Sequence, residues 1–285
     1  LGGPDSLKAV QPFLFNLFFD RAIINLPLPF RWILAKFISK RRAPIAQDIY
    51  KNLGGKSPIL DLTVDQSDAL QKALIHEGKV KCFIAMRYWH PMTVQTVLDV
   101  KNFHPDEIIL LPLYPQFSTA TTGSSLKEWY RVAKSMDLIV NTRALCCYQI
   151  NQGLVDAQAS LILEKMKKIK KPNKVRILFS AHGLPKKIID SGDPYQDQVQ
   201  QTVEAVVDKL GDKSIDWVVC YQSKVGKLEW IGPSLDIEIK RSANDGVAVL
   251  IVPIAFVSEH SETLVELDIE YKEMAENLGI KEYHR

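Results

Sequence analysis

Residues 175–185 read Val-Arg-Ile-Leu-Phe-Ser-Ala-His-Gly-Leu-Pro. The run Val175–Ser180 is short, mostly apolar and does not alternate, which is the pattern of a strand buried on both faces of a parallel sheet. It runs straight into Ala181-His182-Gly183-Leu184-Pro185, an ionisable side chain between a buried strand and turn-forming residues. Four more runs share this character: Lys81–Met86, Ile108–Leu113, Trp217–Cys220 and Val247–Phe256. Between the runs lie amphipathic stretches with helical spacing, among them Asp68–Gly78, Ser124–Lys134, Gly153–Lys168 and Asp197–Leu210. Strand–helix alternation at this spacing predicts an α/β fold of doubly wound parallel sheets.

At 285 residues and 46% hydrophobic, the chain is long enough for two modest cores. The strands fall into two groups around residues 145–152, predicting domains at 1–148 and 149–285 with a cleft between them. The helix from Gly153 ends in Lys165, Lys167, Lys168, Lys170 and Lys171 before Pro172, a match to the negative end of a helix dipole that needs no function. A net charge of +3 argues against nucleic acid as partner. The four cysteines form no CxxC pair, so buried thiols in a reducing cytoplasm are expected. No apolar run approaches the roughly 20 residues of a spanning helix, and no signal peptide is visible. Leu1 opens directly on the turn Gly2-Gly3-Pro4-Asp5, and the sequence stops abruptly at Tyr283-His284-Arg285, so both natural ends are expected to be missing.

Ligands of open parallel sheets bind beyond the carboxyl ends of the strands. There the sequence places Arg87-Tyr88-Trp89-His90, Tyr114-Pro115-Gln116, His182, Tyr221-Gln222-Ser223-Lys224, and Ser258-Glu259-His260-Ser261-Glu262. Singly, each of these fits an ordinary loop; convergence of His182 with Glu262 and His260 is what suggests a site. Glu262, Glu266 and Glu270 recur every four residues, so an α-helix would align them in one acidic stripe with about 40° of drift per step. A solvated face is the ordinary explanation of such a stripe. Against it, no Lys or Arg between Val247 and Tyr271 relieves the repulsion. A cation would, and carboxylates with imidazole suit Fe²⁺, Mg²⁺ or Mn²⁺.

The segment Phe30–Arg42 carries Phe30, Ile33, Leu34, Phe37 and Ile38 at helical spacing among Arg31, Lys36, Lys40, Arg41 and Arg42, with no acid. Periodicity alone favours packing on the core, and an anionic membrane surface is the alternative. The upstream residues Phe13 to Phe19 are also apolar enough for a membrane or a large flat ligand. Thr121-Thr122-Gly123-Ser124-Ser125 reads as a turn that caps a helix or, less commonly, holds an anion. Neither GxxxxGK[ST] nor GxGxxG is present.

Leu1-Gly2-Gly3-Pro4, Lys40-Arg41-Arg42, Gly54-Gly55 with Ser57-Pro58, and Tyr114-Pro115-Gln116 through Ser125 together resemble the ferrochelatase family. So do Phe179 to Pro185, Gly192-Asp193-Pro194-Tyr195, Gln222 to Gly226 with Trp230 to Pro233, and Pro253 to Phe256 followed by Glu259-His260, Glu262 to Leu264 and Glu266 to Tyr271. The resemblance spans nearly the whole chain. It implies two Rossmann-like domains around a porphyrin cleft, and insertion of Fe²⁺ into protoporphyrin IX to give protohaem, the terminal step of haem biosynthesis. It implies His182 and Glu262 as the metallation pair, and Arg42, Tyr50, Ser57, Arg87, Tyr88 and Trp230 as porphyrin-contacting positions. Arg42 would suit a propionate, Arg87 and Tyr88 would deliver metal, and Trp230 would stand at the pocket mouth. Glu266 and Glu270 would extend the metal route from His182 and Glu262. No tightly bound cofactor is expected, because Ser118-Thr119 replaces the cysteine of iron–sulfur relatives and their C-terminal extension is absent. Arg87-Tyr88-Trp89-His90-Pro91 matches the protoporphyrin branch and not the coproporphyrin one. A cytoplasmic enzyme in peripheral contact with the inner membrane through residues 13–42 is the corresponding expectation. The competing readings are a haem or porphyrin carrier without catalysis, and a chelatase for another metal or tetrapyrrole.

Overall fold

The computed structural model describes residues 1–170, 174–226 and 228–285. It divides into two compact units. The first comprises Leu1–Pro112, Thr119–Cys146 and Ser258–Ser261; the second comprises Leu113–Ser118, Cys147–Val257 and Glu262–Arg285. Lys171 and Pro172, where the lysine-rich helix end was expected to break, lie outside the described residues.

The strands are β1 (Glu107–Leu110), β2 (Asn141–Ala144), β3 (Val175–His182), β4 (Asp216–Gln222), β5 (Ala248–Pro253) and β6 (Tyr283–His284). In the second unit they form one parallel sheet in the order β4-β3-β5-β6. The apolar run Val175–Ser180 lies in its inner strand β3, and its residues divide by turns between two cores. Ile177, Phe179 and Ala181 pack with Val155, Ala159 and Ile162 of helix Gln152–Met166 and Val199, Val203 and Val206 of helix Tyr195–Leu210. Leu178 packs on the opposite face with Leu235 and Ile239 of helix Leu235–Asp245, and with Leu267 and Ala275. A strand covered on both faces has no polar side to show, which is why the run does not alternate. Asn151 caps the first of these helices by accepting from the Leu154 amide, and Gly211 at φ 74° ends the second.

The order β4-β3-β5 reverses direction at β3, so the crossovers to β4 and to β5 leave on opposite sides. That makes the β3/β5 boundary a topological switch point, where no crossover covers the carboxyl ends.

In the first unit β1 and β2 pair in parallel over Val97, Val100, Trp129 and Val132 of helices Thr93–Phe103 and Ser124–Ser135. The strand expected at Lys81–Met86 does not form. Its backbone groups bond locally instead: the Cys82 amide donates to Gln71 Oε1 at 2.8 Å, the Ile84 carbonyl accepts from Thr96 Oγ1 at 2.7 Å, and the Met86 amide donates to the Pro91 carbonyl at 2.8 Å. The helix expected at Asp68–Gly78 runs Ile59–Ala73, beginning just after Pro58, with a short 3₁₀ turn at Ile75–Glu77. Nor do the thiols share one environment, since Cys220 is buried, Cys146 is exposed, and Cys82 and Cys147 lie between.

Helix Leu28–Lys51 packs against helix Val10–Phe19 through small residues, burying Ala35, Ser39 and Ala43. Phe30, Ile33 and Phe37 face outward, all more than 60% exposed (64%, 61% and 61%), while Leu34 and Ile38 are half-buried and Tyr50 is buried. Core packing of the apolar stripe, favoured by periodicity, therefore fails for Phe30, Ile33 and Phe37. The buried positions include a small-residue row four apart, Ala35, Ser39 and Ala43, of which Ala43 packs with Val10, Phe13 and Leu14 of the neighbouring helix.

Candidate active site

His182 ends β3, and Glu262 opens the helical segment that follows β5, so the two lie on either side of the switch point. His182 Nδ1 is 2.9 Å from Glu262 Oε2, with the side chains 38% and 29% exposed. Burial works against the charged imidazole. The Glu262 carboxylate and its hydrogen bond, with Glu266 beyond, outweigh it and raise the His182 pKa above the ordinary histidine value.

Glu262–Glu270 is wound as a π-helix and not as the α-helix the four-residue repeat suggested. Its i→i+5 bonding is rare at this length and concentrates at functional sites. Glu266 is half-buried, and burial with the neighbouring Glu262 charge pushes its pKa up against the bonds it accepts from Ser223 and Gln222. Glu270 is exposed and lines, with Asp236, Glu266, Tyr271 and Met274, a cavity of about 280 Å³. Among the described residues no group of three or more His, Cys, Asp and Glu is disposed to hold a metal ion. His260 lies in the short segment Ser258–Ser261 of the first unit, its Nδ1 at 3.1 Å from the Ser258 carbonyl.

Trp230 flanks His182 edge-on, ring centroids 6.4 Å apart. A two-residue bridge holds it there: Pro185 pairs with Trp230, the Lys186 amide donates to the Glu229 carbonyl and the Ile231 amide to the Leu184 carbonyl. Gly183 permits this approach, because a Cβ there would stand 3.1 Å from Trp230 Cε3 and 3.1 Å from the Gln222 carbonyl.

The remaining expected residues lie in the first unit. Tyr50 and Tyr88 share one apolar cluster with Val10, Phe13, Leu14 and Ala43, and Arg42 stacks over Phe18 with its Cζ 6.0 Å from the ring centroid. Ser57 is buried beside Gly3, its Oγ accepting from the Ile59 amide at 3.3 Å. Tyr88 is fully buried and its hydroxyl donates to Asp20 Oδ2 at 2.7 Å. Arg87 reaches the same oxygen at 3.0 Å and donates through Nε to Ser124 Oγ at 2.9 Å, while Ser124 donates to Asp20. The Ser124 hydroxyl is therefore bonded to a carboxylate and caps no helix. Asp20 is the residue the sequence reading missed. Despite burial, its donors hold its carboxyl below the usual range.

The switch point of the parallel sheet thus carries an imidazole–carboxylate pair, with Glu266 and Glu270 following in the next helical segment. The fold is similar to that of SirB from Bacillus subtilis, solved with Fe³⁺, at a TM-score of 0.52 and 18% identity over 78% of this chain and 81% of that one. The family model for ferrochelatase matches residues 1–285. The chain is 52% identical to the ferrochelatase of Pelagibacter ubique (100% of this chain, 83% of the relative). It is 54% identical to that of Wolbachia from Drosophila simulans (95% and 87%) and 52% identical to that of Caulobacter vibrioides (100% and 82%). The chain belongs to the ferrochelatase family. It is thereby a ferro-lyase of haem biosynthesis, inserting iron into protoporphyrin.

Proposed function

We propose that His182 and Glu262 perform the insertion, on the strength of their 2.9 Å contact at the β3/β5 switch point. Two pyrrole N–H protons leave as Fe²⁺ enters the ring, so the site needs a base and a place for positive charge to go. With Nδ1–H given to Glu262, Nε2 is the ring nitrogen with a lone pair to offer; it takes the first proton, releases it to solvent along the acidic row, and then takes and releases the second. The imidazolium that forms is stabilised by Glu262, and Glu266 and Glu270 continue the acidic row as a hydrated route for cations and protons. In this reading residues 149–285 carry the metallation residues, while residues 1–148 supply porphyrin contacts through Arg42, Tyr50, Ser57 and the Arg87–Tyr88 wall. Asp20 neutralises Arg87, which makes Arg42 the better partner for a propionate.

Three further elements belong to the proposal. Ser118-Thr119 stands where cluster-bearing relatives place a cysteine, and Ser118 Oγ donates to Asp193 at 3.0 Å, so no iron–sulfur cluster is assigned. The outward Phe30, Ile33 and Phe37, with Arg31, Lys36 and Lys40 beside them, suit an anionic lipid surface. In this reading the contact is peripheral and the enzyme cytoplasmic; no described helix is long and apolar enough to cross a membrane.

The deciding experiment is anaerobic mixing of Fe²⁺ and protoporphyrin IX with the protein, followed by absorbance of the metalloporphyrin. His182→Ala abolishes insertion while porphyrin still quenches protein fluorescence; full activity of that variant sinks the assignment. Binding without insertion by the wild-type protein would make it a carrier, and faster insertion of another metal would reassign the substrate.

A further inference from the structure

Gln222 ends β4 directly across from His182 in the β3–β4 register, and it is 1% exposed. Its amide is aimed by a second buried residue: Ser180 Oγ donates to Gln222 Oε1 at 2.7 Å, which turns the NH₂ the other way. That NH₂ reaches the π-helical segment at two points, the Glu262 carbonyl at 3.2 Å and Glu266 Oε2 at 3.1 Å. The next residue completes the grip. Ser223 sits at φ 65°, a left-handed conformation unusual for a side chain other than glycine. There its amide donates to Glu266 Oε1 at 2.8 Å and its Oγ to Oε2 at 2.6 Å.

Resting on the functional reading above, we propose that Gln222, oriented by Ser180, is a positioning residue for the metal step. It sets where Glu262 and Glu266 stand relative to His182. A purely structural role at this buried strand end would be served by an apolar side chain of the same length. What the position uses is a two-donor amide, spent on the backbone of one metallation carboxylate and the side chain of the next. Glu262, through its backbone, and Glu266, through its carboxylate, are thus tied to the end of a sheet strand in addition to their own helical segment. The Glu266 carboxylate, taking three hydrogen bonds, is held in one place beside the entry route.

The test compares Gln222→Met, which keeps the length and loses both donors, with Ser180→Ala, which loses only the bond that aims the amide. Steady-state insertion of Fe²⁺ and of Zn²⁺ gives separate KM values for metal and porphyrin, and fluorescence quenching gives porphyrin affinity. Outer-shell partners of metal-handling groups are worth about ten- to a hundredfold in metal affinity. Gln222→Met is therefore expected to raise the metal KM about tenfold or more, with porphyrin KM and quenching unchanged. Ser180→Ala moves the same parameter less, and decides the matter if the methionine variant does not fold. An unchanged metal KM in a protein whose wild type inserts metal and whose His182→Ala is dead overturns this inference alone. Parallel loss of metal and porphyrin affinity does so too, by reducing Gln222 to a packing residue. A wild-type protein that inserts no metal overturns the functional reading itself.

Discussion

Glu262 Oε2 lies 2.9 Å from His182 Nδ1 although 80 residues separate them in the chain. The two are brought together because β5 pairs directly with β3, and the chain leaves both strands at the same edge of the sheet. The pair raises the proton affinity of the imidazole, so the metal-free protein should show a His182 titration midpoint above the ordinary ~6.5. The sign for stability follows. The pair's contribution is complete below the ordinary value and is lost as pH rises through the raised one. Proton-detected NMR of labelled histidine, in wild type and Glu262→Gln, measures this. A midpoint that does not fall in the variant would remove Glu262 as the cause.

Gly183→Ala tests the packing of the site against its chemistry. The new methyl meets backbone at Gln222 and the Trp230 ring, and only the ring can move. A cost of about 1–2 kcal/mol in urea unfolding is expected, with a changed Trp230 emission and slower insertion. Unaltered emission with unaltered activity would show that the ring is not set by this contact.

Breaking the Asp20 cluster should be severe. Asp20→Ala strands Arg87, whose side chain is 18% exposed, and leaves the buried Tyr88 hydroxyl without its acceptor. A loss of about 3–5 kcal/mol is expected from denaturant unfolding. The double variant Asp20→Leu with Arg87→Met should recover part of it, because an apolar pair needs no desolvated partner. A double variant no more stable than Asp20→Ala would contradict the ion pair as the source.

Replacing Phe30, Ile33 and Phe37 together by Ser should abolish co-sedimentation with anionic vesicles and leave insertion into a water-soluble porphyrin intact. Vesicle binding that survives the replacement would move the lipid contact elsewhere.

Much of this is legible in the sequence. Continuous apolar runs announced β3, β4 and β5, and the strand-end rule placed His182 and Glu262 at one edge. What escaped had physical reasons. Asn141-Thr142-Arg143-Ala144 forms β2 by backbone pairing with β1 while its side chains stay largely in solvent, so composition carries no trace of it. Lys81–Met86 has a strand's composition and no ladder, because pairing depends on neighbours that a local window cannot see. The i, i+4 spacing of the glutamates is compatible with either winding, so the π-helix was invisible. Asp20 lies in an apolar stretch that reads as core or membrane surface, and only the fold shows which hydroxyls and guanidinium reach it. Periodicity finds the apolar stripe of the basic helix but not that Phe30, Ile33 and Phe37 within it face outward while Ala35, Ser39 and Ala43 are buried.

That small-residue seam has a thermodynamic signature. The heat capacity of unfolding comes mainly from apolar surface that folding had kept from water. Phe30, Ile33 and Phe37 are hydrated before and after unfolding, so this helix should add less to that heat capacity than its composition suggests. On a lipid surface the same side chains become dry in the folded state alone. Calorimetry of the protein free and vesicle-bound should then give two different curvatures of stability with temperature for one unchanged fold.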